Sequence, residues 1–158
     1  MPKLILKLQI VFFLLLTTAG CAQANLNVTP QNNNSEPLAN DNKISITVAD
    51  KKLRIEYADS PTERQLGLMY RRALCEDCGM LFKFDSQRIG SIWMKNTYIP
   101  LDLAYISANG EIIDIFPLQP HDLTAIKSSK KVLYALEMNQ GWFAKQDIRV
   151  GDKVTELP

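Results

Sequence analysis

Leu101-Asp102-Leu103-Ala104-Tyr105-Ile106 and Glu111-Ile112-Ile113-Asp114-Ile115-Phe116 stand on either side of Asn109-Gly110. Two apolar-rich runs around that dipeptide are the strongest short hairpin signal, because both central residues of a type I′ turn need positive φ. Other runs repeat the pattern. Ile44–Val48 and Leu53–Tyr57 alternate apolar and polar residues around Ala49–Lys52 and predict a second hairpin. Met80–Phe84, Ile89–Lys95, Val132–Met138 and Lys153–Thr155 complete about eight strands. A loop is expected from Pro117 to about Lys131, and one helical turn over Gln140–Lys145.

One helix stands out. Ser60 is a good N-cap, Pro61 suits the first helical position, and Glu63 completes a capping box. Leu66, Met69 and Tyr70 keep helical spacing, which places the end near Arg72. Strands that follow one another without alternating helices predict mainly antiparallel pairing. The expected fold is therefore mainly β: a compact antiparallel β-barrel or sandwich with one packed α-helix, α+β at the margin.

Residues 1–20 read as a signal peptide. Lys3 and Lys7 precede a short apolar run, Ile10–Leu16, and the small residues Thr17-Thr18-Ala19-Gly20. The run is far short of the ~20 residues that span a bilayer. Thr18-Ala19-Gly20-Cys21 resembles a lipobox, which would make Cys21 the lipidated first residue and the membrane anchor. Ala22-Gln23-Ala24 offers an ordinary cleavage site instead. Either way the expected location is the cell envelope, on the periplasmic face of a membrane as a lipoprotein or soluble in the periplasm. Ala after Cys21 resembles lipoproteins sent to an outer membrane. Residues 21–42, rich in Asn with Pro30 and Pro37, show no apolar period and read as a flexible tether reaching roughly 25 Å. Residues 43–158 form a single globular domain.

Net charge is +1 with no basic block, which removes the nucleic-acid footprint. Cys75 and Cys78 form a C-x-x-C pair that should oxidise outside the cytosol as a structural disulfide. The segment after it reads as a strand rather than the helix that a thioredoxin-type site needs. With a single His, His121, neither a metal site nor another cofactor is expected.

Trp93-Met94-Lys95-Asn96-Thr97, followed by Pro100-Leu101-Asp102, sets large apolar side chains beside a small polar group. Binding clefts have that composition. On a strand, one of Trp93 and Met94 points inward and the other outward or into a groove, unless both simply pack. Lys95 belongs to the same polar set. Asn96 and Asp102 either bond local backbone or orient a ligand. Glu63 either caps the helix or lines the cleft with Arg71, since positions 63, 67 and 71 share one helix face with Gly67 between them. Glu137, in the apolar run Tyr134–Met138, is either solvent-exposed or inward and paired with Arg71 or Lys95.

Several pieces together resemble one family. They are Glu63-Arg64-Gln65-Leu66-Gly67-Leu68-Met69-Tyr70-Arg71, Gly79-Met80-Leu81-Phe82, Trp93-Met94-Lys95-Asn96-Thr97, Pro100-Leu101-Asp102, Leu136-Glu137 and Gly151-Asp152. From about residue 44 to 154 the chain resembles the domain-of-unknown-function family 192. That resemblance implies a small, mostly β fold, often behind a signal or lipoprotein peptide, with no agreed activity. The expected function is an exported module binding a small molecule or glycan between Gly67 and Trp93. The alternatives are a glycosidase-like hydrolase drawing two carboxylates from Glu63, Asp102 and Glu137, and a partner-binding lipoprotein.

Overall fold

Strands β1 (Lys43–Val48) and β2 (Lys51–Ala58) pair antiparallel from Lys43↔Glu56 to Val48↔Lys51, as the alternation predicts. The computed structural model describes residues 42–158, all within a compact unit spanning residues 35–158. The signal segment, the Cys21 lipidation site and the tether up to residue 41 lie outside the described residues.

Helix α1 (Pro61–Leu66) begins as the sequence predicts, with the Ser60/Glu63 capping box formed and Pro61 in its first turn. It stops at Leu66 instead of continuing to Arg72. Gly67 turns out of the helix at φ 48°, and a side chain there would meet the Phe82 ring at 3.3 Å. None of the helix's own residues is buried, so no apolar face sustains another turn. The segment after Gly67 runs to β3 (Gly79–Ile92) and makes a crossover long enough for β2 and β3 to lie parallel, Glu56↔Met80 to Ala58↔Phe82. This one pair departs from the antiparallel expectation.

β3 merges the two strands expected at Met80–Phe84 and Ile89–Lys95, with register shifts between Lys83 and Arg88 and between Ile89 and Ser91. It ends at Ile92, so Trp93, Met94 and Lys95 lie past the strand. β4 (Leu101–Ile106) pairs with β5 (Ile112–Leu118) and with β6 (Ile126–Asn139). Pro117 lies inside β5, not in a loop, because β5 is the sheet's edge and a missing N–H costs no ladder bond there. The link at Asn109-Gly110 is not a two-residue type I′ turn. Gly110 alone has positive φ (82°), and its N–H bonds Ser107 O at 3.0 Å. That is the longer hairpin loop with glycine in the left-handed position.

A short helix α2 (Trp142–Lys145) precedes β7 (Val154–Thr155). The sheet order is β5-β4-β6-β3-β2-β1-β7. It curls until its two ends meet: Val154 N–H donates to Gly110 O (2.7 Å), Ile112 N–H to Asp152 O (2.9 Å) and Gly151 N–H to Ile112 O (2.9 Å). Both faces are apolar. One packs Ile46, Ile55, Leu81, Ile106, Leu136 and Phe143 together. The other packs Leu68, Met80, Phe82, Met94, Leu103 and Tyr105. Leu68, Leu74, Met94 and Ile99, from the segments that follow Gly67 and β3, pack into the second cluster, and a cleft opens between residues 61–69 and residues 93–97.

Candidate functional site

Gly67, Leu68 and Met69 form one wall of a cleft of about 330 Å³, and Phe82, Phe84, Arg88, Ser91, Ile92 and Trp93 form much of the rest. Thr97 and Glu137 also line it. The sequence places a groove between Gly67 and Trp93, and the cleft lies there.

Trp93 is 49% exposed while Met94 is 2% exposed. One therefore faces the cleft and the other packs in the core. The division comes from the chain leaving β3 rather than from strand alternation. Lys95 places its Nζ 5.4 Å from the centre of the Trp93 ring. Its own side chain has no acidic partner among the described residues.

Glu137 is buried, with 5% of its surface exposed. It sits between Met80 on β3 and Leu103 on β4, with Glu56 of β2 on the far side of Met80. The solvent-exposed alternative is overturned, and so is the pairing with Arg71 or Lys95. No hydrogen bond or ion pair reaches the Glu137 carboxyl among the described residues. Burial pushes that carboxyl up to about 8, so near neutral pH it is largely a neutral acid. A neutral carboxyl can both donate and accept a hydrogen bond.

The other candidates are placed elsewhere. With α1 ending at Leu66, positions 63, 67 and 71 do not share a helix face. Glu63 Oε2 accepts from Ser60 N–H (3.1 Å) and from Ser60 Oγ (2.8 Å), so it caps the helix. Arg71 donates to Glu56 Oε2 at 2.6 Å. Asn96, at φ 56°, donates from Nδ2 to the Tyr70 hydroxyl (3.0 Å), and its carbonyl accepts the Tyr70 N–H (2.8 Å). Asp102 accepts the Gly141 N–H at 2.8 Å, and its burial raises its pKa against that bond. It lines a different hollow, with Phe143 and Ile148.

Three residues near the cleft were not legible as participants. Arg64 lines it, but its Nη2 donates to both Asp85 carboxylate oxygens at 2.9 Å, and its Nη1 donates to the Lys83 carbonyl at 3.0 Å and to the Asp59 carbonyl. Arg88 stands over the Phe84 ring, 5.8 Å from its centre, and has no acidic partner among the described residues. Glu56, the Arg71 partner, lies in a strand whose alternation suggested a solvent face. Only a sheet covered on both sides would have revealed it. Outside the cleft, Tyr98 packs with Tyr70 (6.4 Å), His121 (4.9 Å) and the Arg72 guanidinium (5.2 Å).

Cys75 and Cys78 are disulfide-bonded. The loop they close is fastened by Asn139 Nδ2 to Cys75 O (2.7 Å), by Trp142 Nε1 to Asp77 (2.9 Å) and by a Lys145–Glu76 ion pair. This anchors the far end of the segment that begins as the cleft wall at Gly67.

Residues 44–156 match the model of DUF192, described as "Uncharacterized ACR". A crystal structure from Sinorhizobium meliloti 1021, titled as that of a candidate transcription regulator, is 38% identical, with a TM-score of 0.66 over 71% of this chain and 90% of that one. A protein of unknown function from Novosphingobium aromaticivorans DSM 12444 is 31% identical, with a TM-score of 0.70 over 75% of this chain and 88% of that one. No curated protein matches the chain.

Proposed function

The chain belongs to the DUF192 family, and from that premise we propose that it is a binding module whose Gly67–Trp93 cleft holds a small ligand such as a single sugar ring. Glu137 carries this reading. Its carboxyl makes no internal hydrogen bond, and no fully buried side-chain oxygen lacks a partner among the described residues, so the carboxyl opens onto the cleft. A ligand in the cleft can therefore hydrogen-bond it. Trp93, half exposed in the same cleft, offers a ring face for stacking.

The hydrolase alternative finds less support. Of Glu63, Asp102 and Glu137, only Glu137 lines this cleft, whereas glycoside hydrolysis needs two carboxyls flanking one bond, within about 10 Å. A partner-binding role would use the exposed Tyr70, Trp93 and Tyr98 but would leave Glu137 without a task. A regulator's role like that ascribed to the Sinorhizobium protein finds no support in charge, which is +1 here without a basic block. We also propose export to the envelope, with Cys21 lipidated or removed with the leader.

Thermal shift with a panel of monosaccharides tests the cleft, because a ligand that prefers the folded state raises its apparent stability. Trp93→Ala should weaken any hit about tenfold, roughly 1.4 kcal/mol. A ligand bound equally well by Trp93→Ala and Glu137→Ala variants would place its site elsewhere.

A further inference from the structure

The cations around the cleft are unevenly committed. Arg64 is neutralised by Asp85, and Arg71 by Glu56. Among the described residues, Arg88 and Lys95 each stand beside an aromatic ring and pair with no carboxylate. Arg88 lines the cleft, and Lys95 stands over Trp93, which lines it too. Among the described residues the rim therefore carries two positive charges without a carboxylate partner, above the Glu137 carboxyl, which opens onto the cleft and makes no internal hydrogen bond.

We propose that the cleft takes a one-ring carboxylic acid, whose carboxylate meets Arg88 and Lys95 at the rim while the Glu137 carboxyl hydrogen-bonds a hydroxyl or acyl oxygen further in. This rests on the binding-module reading above and narrows its ligand class. About 330 Å³ lies near the small end of ligand sites, which suits one ring rather than a chain of them. Carboxylate and guanidinium geometries match. An amine would pair well with an ionised Glu137, but it would have to pass Arg88 and Lys95, which repel it.

Proton uptake follows from the same geometry. An anionic ligand and an ionised Glu137 in one cleft repel each other. The charged groups around Glu137 do not relieve this. Glu56 on β2 is held by Arg71, and Arg64 beside α1's end is held by Asp85. Arg88 of β3 is turned to Phe84. Tyr105 of β4 donates its hydroxyl to Ile126 O at 2.7 Å, and its own pKa is raised, first by burial and then by Glu137. Binding therefore requires Glu137 in its acid form.

The test uses tryptophan fluorescence and calorimetry on residues 21–158, with glucuronate, 4-hydroxybenzoate, glucose, glucosamine and glucose 6-phosphate as probes. At about pH 6 at least one of the two acids should bind about tenfold tighter than glucose, a gap that Arg88→Gln with Lys95→Gln removes. Glucuronate alone would identify sugar acids, and 4-hydroxybenzoate alone would identify aromatic acids. Affinity for the acid should fall about tenfold per unit once pH rises past the Glu137 pKa, while Glu137→Gln keeps binding at about pH 9.5. The wild-type profile decides if that variant does not fold. Glucose binding as well as the acids would overturn this proposal and leave the binding module standing. Tighter binding of glucosamine or glucose 6-phosphate would overturn it in the same way. No binding by any probe in the millimolar range would overturn both.

Discussion

Glu137 and Asp102 are one register step apart on paired strands and face opposite sides of the sheet. Asp102 lies across from Met138, and Leu103 lies across from Glu137. Asp102 thus joins the face of Ile106 and Met138, and Glu137 the face of Met80 and Leu103. The sheet itself separates the two carboxyls, and that separation turns the functional reading from cleavage to binding.

Glu137 makes stability depend on pH. Its folded pKa, about 8, stands above its unfolded value, so the folded state keeps a proton that the unfolded chain has released. The associated stability is fully present below the ordinary carboxylate range and is lost as pH rises to about 8. The steepest slope should be ~1.4 kcal/mol per pH unit. Urea unfolding at several pH values should show the decline, and Glu137→Gln should flatten it. An equal slope in both proteins would show that another group is responsible.

Replacing the acid by an apolar side chain of similar length should stabilise the free protein. Glu137→Met is expected to gain about 1–2 kcal/mol near neutral pH, since it replaces a largely buried carboxyl that makes no internal hydrogen bond with an apolar side chain beside Met80 and Leu103. A measured loss in the same urea experiment would reveal a partner for the carboxyl.

Arg71 should matter to folding rather than to ligand contact. Arg71→Met strands the buried Glu56 carboxyl, and the loss should be about 2–4 kcal/mol. Adding Glu56→Gln should recover part of it. Purely additive effects of the two changes would show that the 2.6 Å contact carries no coupling.

Gly67→Ala should be costly beyond its one added methyl. The residue holds φ 48°, and its new Cβ would press on Phe82 at 3.3 Å. About 1–2 kcal/mol should be lost, seen as a lower Tm. An unchanged Tm would mean that the wall yields freely.

Cys75→Ser with Cys78→Ser should cost about 2 kcal/mol by the loop-closure account. Hydrogen exchange should then rise along residues 67–78. Loss of stability with no change in exchange there would show that the clip does not steady the cleft wall.

The fold was legible where pattern and geometry coincide. Leu101–Ile106 and the Ser60–Glu63 cap appear as predicted because alternation and capping are local codes. The misses came from distant contacts. The helix stops at Gly67, whose close approach to the Phe82 ring nothing between residues 61 and 72 announces. Pro117 could be admitted to a strand only by knowing that β5 is an edge. In the site, Trp93 and the cleft's position were readable from composition, whereas Arg71 was diverted by Glu56 and Asp102 by Gly141. The inward direction of Glu137 depended on a second apolar face that alternation alone treats as solvent.

The meeting of residues 110–112 with 151–154 bears on how the molecule is made. β1 gains its outer neighbour from β7, at the opposite end of the domain's sequence. Closing so long a loop is slow, and until it closes β1 presents unpaired backbone that a neighbouring copy could borrow. Yield on refolding should therefore fall with concentration, and β1 is the strand through which the chains would stick.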